Sequence, residues 1–120
     1  MTVESSSADP ALTDPDLYSV VFENERVRVL RYQDRPGDRT TVHRHPDSVM
    51  VTLSPIRRRL SSEGKVAEVE LAAGQVRWLD AQRHAGENIG DTDSDVVFIE
   101  LKEPPDSGTV DDGVRPLGPA

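Results

Sequence analysis

Proline and glycine cut this chain into pieces too short for ordinary helices. Nine prolines and eight glycines are spread over 120 residues, and they recur every 8–12 residues or so between short runs of β-branched and aromatic side chains. Residues 17–22 and 27–32 are such runs, separated by a Glu23-Asn24-Glu25 turn. Residues 40–45 and 48–53 follow a turn at Pro36-Gly37, and 56–61 and 65–71 flank Ser62-Glu63-Gly64 as a hairpin. Residues 76–79 and 96–102 complete the set. No apolar period of 3.6 residues is sustained over a helix-length window. The pattern predicts an all-β chain, a sandwich or a barrel.

The length allows one domain. Residues 1–15 are rich in Ser, Asp and Pro, and read as a flexible arm; 104–120, opening on Pro104-Pro105-Asp106-Ser107-Gly108, read as an acidic, disordered tail. The folded domain is expected over 16–103. Net charge is −8; residues 1–15 contribute −3 and residues 103–120 another −3, leaving −2 between them. Acidic ends argue against binding a phosphate backbone, which requires a basic face. The one basic run, Arg57-Arg58-Arg59, alternates direction along a strand and predicts a solvated surface with one arginine turned inward. There is no cysteine, which removes disulfides, thiolate metal sites and a cysteine nucleophile. The N-terminus lacks the basic and apolar regions of a signal peptide, and no stretch is apolar enough to span a membrane. The expected location is the cytoplasm, with no membrane partner. G-x-S-x-G, P-loop and G-x-G-x-x-G motifs are missing, so serine hydrolysis, nucleotide hydrolysis and dinucleotide binding are not indicated.

All three histidines lie in two short segments: His43 and His45 in Thr41-Val42-His43-Arg44-His45-Pro46, and His84 in Gln82-Arg83-His84-Ala85-Gly86. Residues i and i+2 of a strand share a face. His43 and His45 therefore aim the same way, and His84 can join them if the fold brings the two segments together. Imidazole is the commonest metal ligand. The predicted site is one mononuclear metal centre of His43, His45 and His84.

The two segments resemble the motifs of the small single-domain cupins. Gly37, five residues and His43-Arg44-His45 match the first motif; Gly74, a following stretch, His84 and Asn88 match the second. The resemblance covers about residues 16–103 and implies a jelly-roll-like β-barrel, the double-stranded β-helix. It departs from the family where a metal-binding glutamate is expected: the positions four and five residues after His45 are Val49 and Met50. Strand parity places Val49 on the interior face with the histidines. Ser54-Pro55 stands where the first motif has a later glycine, and Asp80 to Arg83 replace a proline and glycine before His84.

Three neutral imidazoles would leave a divalent ion its full charge, which favours an anionic, bidentate substrate. Three-histidine cupins include non-haem iron dioxygenases, and other cupins use zinc, nickel or manganese for isomerisation, elimination or cyclisation. The resemblance thus implies one divalent transition metal ion (Fe, Zn, Ni or Mn), a small organic anion as substrate, and a lean towards dioxygenase chemistry. Isomerase, lyase or cyclase chemistry, a non-catalytic ligand-binding or sensor module, and metal-free histidine acid–base catalysis are the alternatives. Candidate accessory residues are Asp47, which shares parity with His45; Glu87, as a base near the metal; Asn88, bonding the backbone or orienting a histidine through its ring N–H; and Arg59, Arg77 and Glu100, on strands that line the barrel. Met50, Trp78 and Phe98 are expected in the core. Open sheet edges and family analogy predict a homodimer.

Overall fold

The computed structural model describes residues 8–102; residues 1–7 of the expected arm and the tail at 104–120 lie outside the described residues. A single helical turn, α1 (Pro10–Thr13), precedes nine strands: β1 (Tyr18–Glu23), β2 (Val27–Asp34), β3 (His43–His45), β4 (Ser48–Thr52), β5 (Ile56–Ser62), β6 (Lys65–Leu71), β7 (Val76–Leu79), β8 (Gln82–Asn88) and β9 (Ser94–Leu101). They form two antiparallel sheets, one ordered β1-β2-β9-β4-β7 and the other β3-β8-β5-β6. The expected all-β, jelly-roll-like architecture is present.

Alternation sets the interior. On β9, Ser94, Val96, Phe98 and Glu100 are buried and the residues between them are not; on β4, Ser48, Met50 and Thr52 are buried. The apolar core joins Tyr18, Leu30, Tyr32, Met50, Val96 and Phe98 of the larger sheet to Ile56 of the smaller one. β5 and β6 meet in a two-residue hairpin, with Ser62 opposite Lys65 and both Glu63 and Gly64 at positive φ, as the twist of paired strands favours. Gly37 and Gly74, the two motif glycines, also have positive φ, 89° and 79°. A side chain at either turn would carry backbone strain.

Two expectations are corrected. Residues 8–15 belong to the folded body. Asp9 caps α1 by accepting from the Ala11 N–H (3.0 Å), and Pro10 occupies the first turn, where no N–H is needed. Ala8 accepts from the Arg44 N–H (2.8 Å). Two of the acidic residues of the expected arm have partners: Asp9 holds Arg28 through two bonds of 2.8 Å, and buried Asp14 accepts from the Thr41 N–H (3.0 Å). The second correction concerns 82–88, too polar to read as a strand. This stretch forms β8 because β3 pairs with it on one side and β5 on the other. Pairing on both edges overrides weak β propensity.

Candidate metal centre

β3 and β8 are neighbours, and their register places His43 directly opposite His84, with His45 opposite Gln82. All three rings project to the inner face, and all three residues are buried. Each contributes a ring nitrogen to a cluster whose ligand atoms lie within 4.8 Å of one another. The rings stand edge to face, His43 with its centroid 4.8 Å from His45 and 4.9 Å from His84. The opposite sheet closes the site: Phe98 stacks on His45 at 4.9 Å, and the Tyr18 hydroxyl lies 3.4 Å from Nε2 of both His43 and His45.

The outer nitrogens fix the inner ones. His43 Nδ1 donates to the Thr41 carbonyl (2.9 Å), His45 Nδ1 to Glu100 Oε2 (2.9 Å), and His84 Nδ1 to Gln82 Oε1 (2.8 Å). With each Nδ1 carrying its proton, a neutral ring keeps its lone pair at Nε2. The ring nitrogens of the three histidines converge, and the Tyr18 O–H lies within reach of two of them, Nε2 of His43 and of His45. Burial, reinforced by the neighbouring His45, pulls His43 down to about 4 and His84 to about 3; both are uncharged near neutrality. Burial holds the Tyr18 phenol protonated, well above its ordinary range. Preoriented imidazoles whose ring nitrogens converge, with His43 and His84 held neutral by burial, fit a divalent transition metal ion.

Glu100 is the best placed of the accessory candidates. It is buried and grips the far side of His45, while its other oxygen accepts from Arg28 Nε (3.0 Å) and Nη2 (2.8 Å). Arg28 in turn holds Asp9, so a chain of ionic hydrogen bonds runs from α1 to the imidazole of His45. At the other end of α1, Asp14 Oδ2 lies 3.7 Å from His43 Nδ1. Asp14 and Tyr18 were missed in the sequence. Nothing in their local pattern distinguishes them, because their partners are 25 or more residues away.

The other candidates lie elsewhere. Asp47 accepts from the Ala81 N–H (2.8 Å) in an exposed turn. Glu87 faces outward to Arg39 and Arg59. Asn88 is buried, but it bonds Asp34, the Thr92 carbonyl and the Gly90 N–H rather than a histidine. Arg59 is on the outer face with Glu68; the inward arginine of the triplet is Arg58. Val49 does not face the site either. Pro46 and Asp47 carry the chain from one sheet to the other, parity resets, and Met50 is the buried residue.

A cavity of about 210 Å³ adjoins the histidines, lined by His43, His84, Tyr18, Arg58, apolar side chains such as Met50, Ile56, Leu60 and Phe98, and Arg77 and Trp78. Trp78, expected in the core, is 51% exposed, because β7 is an edge strand. No helix among the described residues is long and apolar enough to cross a membrane.

No family model matches this chain, and no curated protein matches it in sequence. Solved structures do match. A cupin domain from Bordetella pertussis Tohama I is 29% identical, with a TM-score of 0.68 over 72% of this chain and 93% of that one. A conserved protein with a double-stranded β-helix domain from Klebsiella pneumoniae is 23% identical, TM-score 0.57, covering 73% and 84%. A predicted oxalate decarboxylase from Thermotoga maritima is 22% identical, TM-score 0.51, covering 71% and 79%.

Proposed function

We propose that this chain, a cupin by its fold, is a metal-dependent enzyme that acts on a small organic anion at the three-histidine centre. The observation that carries this reading is the convergence of three neutral-capable Nε2 atoms beside a largely apolar cavity. His43, His45 and His84 would hold the ion. When bound, a divalent ion supplies Lewis-acid polarisation of a carbonyl or enolate oxygen, and iron would extend this to dioxygen. The chain's own groups do the rest. The apolar walls exclude water and strengthen every charge interaction inside. Tyr18, protonated and 3.4 Å from two of the Nε2 atoms, is in reach to donate a hydrogen bond to a developing oxyanion.

The test is elemental analysis of untagged protein beside His43→Ala, His45→Ala and His84→Ala. Near-stoichiometric metal in the parent and its loss in each variant is the expected result; full occupancy in all three variants would sink the reading. Iron would direct the next assay to oxygen consumption, and zinc, nickel or manganese to isomerase and lyase substrates. A second reading, a non-catalytic ligand-binding module, draws on one feature: no Asp or Glu side chain lines the cavity among the described residues, so it offers no carboxylate base. Turnover of any substrate by the metal-loaded protein excludes that reading.

A further inference from the structure

Arg58 is a buried cation on the wall of the same cavity, and its hydrogen bonds leave part of it unused. Nη1 donates to Asp34 Oδ2 (2.8 Å) and Ser94 Oγ (3.3 Å), and Nη2 to the Tyr32 oxygen (3.0 Å). A guanidinium has five N–H donors. Nε–H and the second Nη2 proton have no acceptor among the described residues. Ser48 Oγ is there the only fully buried side-chain nitrogen or oxygen without a partner, so Arg58 Nε is not sealed in the core. The Nε–Nη2 edge is the fork that takes a carboxylate through two parallel bonds.

The register shows where this edge lies. Arg58 on β5 is paired with Asn88 on β8, and Leu60 with Gly86. The side chain leans one pair along the sheet: a Cβ added at Gly86 would stand 2.9 Å from Arg58 Nη2 and 3.5 Å from Nε. Glycine at 86 therefore makes room for the guanidinium. Gly86 is also the next residue after His84 on the same face of β8, about 7 Å along a strand. Cation and histidine cluster thus stand side by side on one wall, separated by the length of a few bonds. The field of Arg58 reaches His43 and His84, where it opposes protonation.

We infer that Arg58 is a carboxylate anchor, and that the cavity takes a small carboxylic acid whose acid group sits in the Arg58 fork while a second oxygen or nitrogen function reaches the histidines. Asp34 fixes the guanidinium, Tyr32 lies beneath it with its ring centroid 4.9 Å from Cζ, and Gly86 leaves room for it beside β8. The apolar walls take the body of the acid. This inference rests on the reading of the cavity as a ligand site, but not on occupancy of the metal centre.

The experiment is a titration of the full-length, chelator-treated protein with phenylacetate, followed by ¹⁵N NMR at the Arg58 Nε–H and the Gly86 amide. Phenylacetamide, the uncharged counterpart, is the control. Saturable shifts with phenylacetate and none with phenylacetamide are expected, with affinity at least about tenfold weaker in Arg58→Lys, which keeps the charge but loses the fork. Gly86→Ala, which displaces the guanidinium without removing it, should weaken binding in the same direction; it carries the test alone if the lysine variant does not fold. Failure of phenylacetate to shift the Arg58 Nε–H, or equal affinity in parent and variants, overturns the anchor. Repeating the titration on zinc-loaded protein separates the two ideas. Shifts at Arg58 without any zinc uptake would leave the anchor and remove the metal reading; zinc uptake without them would do the reverse.

Discussion

His45 is held from outside the cavity by a carboxylate, and its dependence on that contact can be measured. Glu100 meets Nδ1 at 2.9 Å, fixing the tautomer and the ring plane. Loss of such partners typically weakens metal binding by 10–100-fold. Glu100→Gln keeps the shape and one acceptor oxygen but loses the charge, so zinc affinity, read by competition with a chromophoric chelator, should fall within about that range; unchanged affinity would make Glu100 a packing residue. The lowered pKa values give a second prediction, for the metal-free protein. Below the ordinary histidine value of 6.5, the unfolded chain takes up protons that folded His43 and His84 refuse until about pH 4 and pH 3. The unfolded state binds more protons in that window, so stability rises with pH across it. The contribution is complete above about 6.5 and is lost as pH falls towards 4 and below. Thermal melts of chelated protein should show this decline, and it should be shallower in His84→Gln. A midpoint that stays level across the window would contradict the burial of neutral histidines.

Among the elements, α1 and β3 depend on each other. β3 has only three residues and one strand neighbour, β8, so its outer side is secured by α1 instead. The Ala8 carbonyl takes the Arg44 N–H, and Asp14 takes the N–H and hydroxyl of Thr41, two residues before His43. Asp14→Ala removes the acceptor of the Thr41 N–H and hydroxyl, a loss of about 0.5–1.5 kcal/mol per hydrogen bond that should appear as a lower urea midpoint. Because β3 carries two of the three histidines, zinc affinity should fall in the same variant. A loss of stability with zinc affinity intact would mean that α1 supports the fold but not the site. The hairpin of β5 and β6 makes a contrast. Its turn and register are readable locally, and it holds no member of the histidine cluster.

Across the whole molecule, each sheet ends in edge strands, β1 and β7 in one, β3 and β6 in the other, and of these β3 is covered by the segment around α1. Three consecutive apolar residues of β1, Val20, Val21 and Phe22, are 47%, 59% and 53% exposed. A bulge between Val20 and Phe22 disrupts the edge as a template for further pairing and leaves the side chains as the adhesive feature. We propose that a second copy of the chain covers them. Sedimentation equilibrium should give twice the chain mass, and Val21→Lys with Phe22→Lys should shift it to the monomer without loss of fold. A monomer in the parent protein at micromolar concentration would refute the dimer.

The architecture was legible because it depends on local rules. Turn residues, β-branched runs and a lack of helical period specify short antiparallel strands, and the i, i+2 spacing puts His43 and His45 on one face wherever the strand lies. The motif glycines were legible for a similar reason, as the turns there need positive φ. Parity, however, survives only within an unbroken strand. Pro46-Asp47 moves the chain to the other sheet, which is why Met50 rather than Val49 faces inward. The arginine triplet showed that one side chain turns in, but only pairing with β8 determines that it is Arg58. Asp14, Tyr18 and Glu100 reach the histidines from the N-terminal segment, the first strand and the last, and Asp9 acts through Arg28. The sequence by itself determined eight of the nine strands, the turns and the candidate ligands, because nearest-neighbour sterics and alternation settle them, whereas β8 needed its two neighbours. Tertiary structure alone decided the polar partners and the cavity, because hydrogen bonds across tens of residues follow strand order and register.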